Sequence, residues 1–204
     1  RMIRRYTAAE YIERTDALKE AVPGLTMSTD VIVGFPGETD EDFEATVDLV
    51  RRVGFVSLFG FKYSQRPFTP ALKLGDDVSE EEKGRRLERI FAVVDEKKNA
   101  HLASLVGGDE LVLVDGEGKT GAPMGRSERN EIVHLRVPEG VTVPGSGAVV
   151  KARVLEAFKN SLSAEFVEVV SAAPRVIVSS VRPSAPKTRR GDGNRRILPV
   201  VGDH

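Results

Sequence analysis

Ser28-Thr29-Asp30-Val31-Ile32-Val33-Gly34-Phe35-Pro36-Gly37-Glu38-Thr39-Asp40-Glu41-Asp42-Phe43 reads as a strand, a tight turn and the start of a helix. The apolar triplet Val31-Ile32-Val33 closes a strand predicted over Leu25–Val33, and Gly34-Phe35-Pro36-Gly37 punctuates it. Thr39 then opens a helix, with Asp40, Glu41 and Asp42 placing negative charge at the positive end of its dipole. The core face of that helix is predicted as Phe43, Val47, Val50 and Val53. Upstream, Thr7 and Glu10 have capping-box spacing, and Tyr11, Thr15, Leu18 and Val22 recur at helical spacing until Pro23-Gly24. Downstream, a second strand is predicted over Phe55–Tyr63, followed by the proline-broken loop Ser64-Gln65-Arg66-Pro67-Phe68-Thr69-Pro70. Ser79-Glu80-Glu81-Glu82 starts a long helix with Leu87, Ile90, Phe91, Val94, His101 and Leu105 along one side.

Helix, strand, helix, strand, helix is the order of parallel α/β units. Two parallel strands are too few to bury a sheet, so residues 1–106 are expected to be the end of a larger, TIM-like α/β barrel that is incomplete here. From Gly107 the pattern changes to short β-like runs over 109–115, 121–127, 131–137, 148–156 and 161–169. They predict a small five-stranded, OB-like β-barrel over residues 107–170. The expected fold class is therefore α/β plus all-β.

The 204 residues contain no cysteine and only three histidines. That excludes a disulfide framework, a cysteine nucleophile, a thiolate zinc site and any iron–sulfur cluster held by these side chains. The formal net charge is -1, but the charge is unevenly placed. Residues 171–204 carry seven Lys and Arg against two Asp, a net of +5, which leaves -6 for the rest. This Pro-, Ser-, Gly- and Arg-rich segment reads as a basic disordered tail, either a solvated end or a weak attractor of polyanions. No apolar run approaches the roughly 20 residues of a membrane span, and no signal peptide is read. A cytoplasmic protein is the expectation.

The stretch from Ser28 to Phe43, with Arg4-Arg5-Tyr6-Thr7 before it and Phe61-Lys62-Tyr63-Ser64-Gln65-Arg66-Pro67-Phe68-Thr69-Pro70-Ala71 after it, resembles the late barrel of the radical S-adenosylmethionine methylthiotransferases. The run from Gly125-Arg126-Ser127-Glu128-Arg129-Asn130 to Leu135 resembles the TRAM domain that closes these enzymes. The resemblance covers roughly residues 1–170. It implies a tRNA-modifying enzyme that adds a methylthio group to carbon 2 of N(6)-dimethylallyladenosine beside the anticodon. Its implied cofactors are S-adenosylmethionine and two 4Fe-4S clusters, and its implied partner is the tRNA anticodon stem-loop. The cluster ligands are then expected in a missing amino-terminal half, and this cysteine-free portion alone is expected to be inactive. Phe68 departs from the glycine usual in the Arg-Pro-Gly-Thr-Pro pattern and puts the path of that loop in question.

Ligands of parallel α/β sheets bind beyond the carboxyl ends of the strands. By period two, Ser28, Asp30 and Ile32 share one face, placed toward the barrel interior, and Thr29, Val31 and Val33 share the other. The resemblance implies that Thr29, Asp30, Ile32, Gly34, Tyr63 and Arg66 flank S-adenosylmethionine. A tight strand-to-helix turn accounts equally well for the glycines and Pro36, and a surface ion pair for Arg66. In the β block, Arg126, Arg129 and Asn130 share one turn and Lys159, Asn160 and Ser161 another. Arg126, Arg129, Asn130, Lys159 and Ser161 are the candidate RNA contacts. His101 and His134 read as packing rather than ligands. No catalytic or metal-ligating residue is assigned, and a stand-alone RNA-binding module is the rival reading.

Overall fold

The computed structural model describes residues 5–118, 121–142 and 145–172. The expected basic tail lies outside the described residues from 173 onward. The chain runs α1 (Ala8–Ala21), β1 (Ser28–Val33), α2 (Asp40–Val53), β2 (Ser57–Lys62), a short 3-10 turn (Pro70–Leu74) and α3 (Glu80–Ser104), then β3 (Asp109–Glu117), β4 (Pro123–Ser127), β5 (Ile132–Arg136), β6 (Val149–Ala157) and β7 (Ser161–Ser171). Strands β1 and β2 pair in parallel, with Ser28 opposite Ser57 and Ile32 opposite Phe61.

The helix starts follow from their caps. Thr7 and Thr39 each form a reciprocal capping box, with Glu10 and Asp42 respectively, and Ser79 accepts from the Glu82 amide. The amphipathic reading of α2 holds: Phe43, Val47, Val50 and Val53 are all buried. The α1 face is narrower than its periodicity suggested. Thr15 is buried, but Leu18 and Val22 are exposed because, among the described elements, α1 leans mainly on α2.

Two cores result. Val33, Phe43, Val47, Val50, Val53, Phe55, Ile90, Val93 and Val94 form one, between the outer face of the β1–β2 sheet and the helices. The other fills the closed barrel β3-β4-β5-β7-β6, with Val112, Val133, Val150, Val154, Leu162 and Ala164 among its members. The long helix α3 serves both, since Leu102 belongs to the barrel core and Leu105 packs against it. This dual duty explains why Val93 and Leu102 are buried where the single-stripe reading put Phe91, which is exposed. A straight helix of 25 residues rotates its stripe between two partners.

Phe68 sits at φ 65, in the left-handed region, with its ring wholly exposed. The loop therefore keeps a glycine-like backbone path despite the side chain, and the cost of that conformation is not offset by packing. Phe68→Gly is expected to raise stability by up to about 1 kcal/mol: removing roughly 1–2 kcal/mol of left-handed strain outweighs the extra freedom glycine brings to the unfolded chain. The midpoint of chemical denaturation reads this directly.

Candidate functional site

The face of the β1–β2 sheet opposite the helices is open. Burial alternates along β1, with Ser28, Asp30 and Ile32 outward and Val33 buried. The register sets Phe59 beside Asp30 and Phe61 beside Ile32. Three large apolar side chains are thereby left half in solvent, Ile32 at 41%, Phe59 at 62% and Phe61 at 53% exposure. They border a concavity of about 890 Å³ that Tyr6 and Tyr11 also reach. Exposed aromatic surface of this kind marks a binding or packing face. The sequence pattern placed Asp30 and Ile32 on this side, whereas Phe59 and Phe61 were not singled out because only the strand register sets them beside those two residues. Thr29 belongs to the other face, where its side chain is partly covered, yet it lines the same concavity as Asp30 and Ile32.

At the carboxyl ends of the strands the polar groups are tightly organised. The Gly34 amide donates to Glu38 Oε2 at 2.6 Å, and the Gly37 amide donates to Asp77 Oδ1 at 2.9 Å. Arg86, almost fully buried on α3, donates to Glu38 Oε2 (2.7 Å), Asp40 Oδ1 (2.7 Å) and Glu82 Oε1 (3.0 Å). Lys83 is buried too, with Nζ 2.8 Å from Asp76 and 2.9 Å from Glu80. Burial disfavours the Lys83 charge, but the hydrogen bonds its ammonium donates to Asp76 and Glu80 outweigh it and hold its pKa above the usual lysine value. The Lys83 stem lies where a Cβ on Gly34 would project. A side chain at residue 34 is therefore excluded by Lys83, whose ammonium reaches Asp76, and this accounts for Gly34 as part of a tight strand-to-helix turn.

Tyr63 and Arg66 differ. The Tyr63 ring packs edge-on against Phe35, with centroids 5.3 Å apart, and its hydroxyl is buried with no hydrogen-bond partner among the described residues. Arg66 is exposed in the following loop and makes no ion pair among the described residues. An orphaned phenol and a free guanidinium at strand carboxyl ends are the groups here that a polar ligand would satisfy. The 204 residues offer no thiolate, so they do not fit a 4Fe-4S cluster.

In the barrel the two RNA-candidate turns converge. A cleft of about 360 Å³ is lined by Lys98, His101, Arg126, Asn130 and Asn160, with Phe59 at its other side. Arg126 donates to the Asn130 carbonyl at 3.1 Å and stays partly exposed. Asn130 occupies the left-handed region at φ 70. Lys159 is largely exposed, with Nζ 3.4 Å from Asp95. The hydrogen bond from Lys98 is the main reason the Asp95 carboxyl is held below the usual carboxylate range, with Lys159 adding to it. Ser161 is half-buried at the start of β7.

Arg129 also lines this cleft, but its guanidinium is engaged elsewhere. Its guanidinium donates to both Glu110 oxygens (3.2 and 3.1 Å) and to the Gly24 carbonyl (3.0 Å), fastening the barrel to the loop after α1. Burial pushes the Glu110 carboxyl up, and Arg129 works against that rise. Of the candidate RNA contacts, Arg129 is thus the one whose charge is already paired with a buried carboxylate. His101 is likewise no simple packing residue, since its Nε2 lies 2.7 Å from Glu131 Oε1. His134 is exposed on the outside of the barrel rather than packed within it.

The parallel strand–helix units with one open face, followed by a closed five-stranded barrel, fit a part of a larger α/β fold joined to a small β-barrel. A model of the radical SAM superfamily matches residues 1–50. The chain is 50% identical over 212 residues to the tRNA-2-methylthio-N(6)-dimethylallyladenosine synthase of Sorangium cellulosum (strain So ce56), covering 98% of this chain and 40% of the relative. It is 40% identical over 168 residues to the synthase of the same name from Geobacter sulfurreducens (strain ATCC 51573 / DSM 12127 / PCA), covering 82% of this chain and 37% of the relative. With the synthase of Bordetella petrii (strain ATCC BAA-461 / DSM 12804 / CCUG 43448) the identity is 41% over 170 residues, 82% of this chain and 35% of the relative. Along nearly its whole length the chain is thus similar to part of these synthases, and its first 50 residues match the radical SAM superfamily. It spans about two fifths of the length of the relatives it matches. Among the described residues, no helix is long and apolar enough to cross a membrane.

Proposed function

We propose that this chain acts as part of a tRNA methylthiotransferase that modifies carbon 2 of N(6)-dimethylallyladenosine beside the anticodon. In this reading residues 1–106 supply the last units of the radical-SAM barrel and residues 107–170 a TRAM domain that grips the anticodon stem-loop. The observation that carries it is the open aromatic face of β1–β2, since a sheet of a complete protein rarely leaves Phe59 and Phe61 uncovered. The relatives' names and the length the chain spans support it.

S-adenosylmethionine and two 4Fe-4S clusters, when bound, supply the radical and sulfur chemistry. The cluster ligands must come from residues outside these 204, which contain no cysteine. This chain's own groups orient and bind. Asp30 and Ile32 line the inner face, the Tyr63 hydroxyl offers one hydrogen bond, and Arg66 offers a two-pronged site for a carboxylate or phosphate. The Arg86 and Lys83 networks fix the neighbouring turn at the carboxyl end of β1.

Mass spectrometry of tRNA nucleosides from a host lacking the whole gene tests this. The complete gene is expected to restore the methylthio mark and residues 1–204 alone are not. Restoration by the 204 residues alone would overturn the placement of the cluster ligands; no mark with the complete gene would overturn the activity. A mark-free host in which the chain still binds the stem-loop favours the stand-alone module.

RNA binding by the barrel has its own test. Lys159→Ala with Arg126→Ala is expected to weaken stem-loop affinity and to flatten the plot of log affinity against log salt by about 0.7 for each phosphate that is no longer neutralised. Asp95→Asn, which releases Lys159 from its pair, is expected to do the opposite. Slopes unchanged in both variants would remove these positions from the RNA site.

A further inference from the structure

We propose that the outer face of β4, β5 and β7 carries a pocket for one unpaired nucleobase, adjoining the cleft beside Arg126 through Ile132 and Asn160. The proposal rests on the reading that the barrel binds RNA, and it adds a site that the charge pattern does not reveal.

The register builds it. Val133 and Leu135 of β5, with Leu162 and Ala164 of β7, point into the barrel core. Ile132, His134 and Arg136 therefore face outward, as do Ser161 and Ser163. Strand pairing sets Met124 beside His134, and His134 beside Ser163, in one row across three strands. Ser163 is only 4% exposed although it lies on the outer face, so the row forms the bottom of a depression. Its hydroxyl has no hydrogen-bond partner among the described residues, while Ser163 lines a cavity of about 550 Å³. That volume lies within the roughly 300–1,000 Å³ of small-molecule sites.

The walls match the chemistry of a base. Phe158 stands half exposed at the tight turn between β6 and β7, where its amide donates to the Ser161 carbonyl at 2.8 Å. Its flat ring, with Met124 and Ile132, offers the stacking and thioether surface that a π face prefers. Asn160 spends its carbonyl oxygen on Lys98 at 2.8 Å, which leaves its amide hydrogens as donors at the rim. Ser163 and His134 can give or take a hydrogen bond along an edge. The bordering cation, Arg136, is paired with Glu156 at 2.8 Å, so the pocket reads as a base site rather than a phosphate site.

The test uses the 204-residue chain and hairpin RNAs with 2-aminopurine at successive loop positions. One position is expected to be quenched on binding, and an abasic site there is expected to lower affinity by about 5- to 100-fold. Phe158→Ala should weaken binding to a similar degree without changing the salt slope, and Ser163→Val should shift which base is preferred. The abasic comparison needs no variant, so it stands even if a substitution harms folding. Failure of every hairpin to bind at low salt would overturn the RNA reading and the pocket with it. Salt-sensitive binding that is indifferent to the abasic site and to Phe158→Ala would overturn the pocket alone.

Discussion

Gly125→Ala is expected to cost about 4 kcal/mol and to leave the β-barrel largely unfolded. Gly125 lies in β4 between Val114 of β3 and Val133 of β5, and it is buried. A Cβ there would overlap the Leu113 carbonyl oxygen and come within 2.8 Å of the Leu113 carbonyl carbon and of Val112 Cγ1. The obstacle is backbone, which cannot rotate aside as a side chain can. Moving β3 away would break its ladder just before the irregularity at Val114–Gly116 and open the barrel at one seam. Denaturant unfolding followed by far-ultraviolet circular dichroism should show an early barrel transition, with the helical signal disappearing later. A variant within about 1 kcal/mol of the parent would mean that the strands adapt and that the close approach is softer than its geometry suggests.

Arg86→Ala is expected to cost about 3 kcal/mol and to loosen the turn at the carboxyl end of β1. The guanidinium is the common partner of Glu38, Asp40 and Glu82, and it also lies over the Phe43 ring at 5.4 Å. Removing it strands the largely buried Glu38 carboxylate, whose remaining bond is from the Gly34 amide. The lower end of the usual range applies because Asp40 is mostly exposed and Glu82 keeps Arg85. Arg86→Lys keeps the charge but not the three-way fork, so it should recover only part of the stability. Hydrogen exchange at the Gly34 amide gives the local readout: faster exchange in Arg86→Ala is expected before global unfolding. Unchanged protection would mean that Glu38 holds the turn by itself.

Much of the α/β half is legible because its signals are local. Thr39 and Asp42 cap α2 through bonds that span three residues, and Phe43, Val47, Val50 and Val53 make a stripe that needs only one partner. The alternation along β1 correctly sends Asp30 and Ile32 to the open side. The same reasoning fails at Leu18, Val22 and Phe91, where burial depends on how many elements arrive to cover a helix. It also cannot separate Arg126 from Arg129, which share a turn and a charge yet end in different company. Phe68 is a mixed case. The departure from glycine is plain in the sequence, but only the backbone shows that the left-handed path is retained.

The sequence by itself determined the order of elements, their caps, the change to β structure after Gly107 and the want of any cysteine to hold a cluster. These depend on composition and on interactions within a few residues, where geometry leaves little choice. Only the tertiary structure decided which long polar side chains meet. Lys83 fills the space over Gly34, Arg129 is drawn to Glu110, the Tyr63 hydroxyl is left without a partner among the described residues, and Met124, His134 and Ser163 fall into one row. The reason is that flexible charged chains and strand registers are settled by packing between segments far apart in sequence, and only the assembled cores fix those distances.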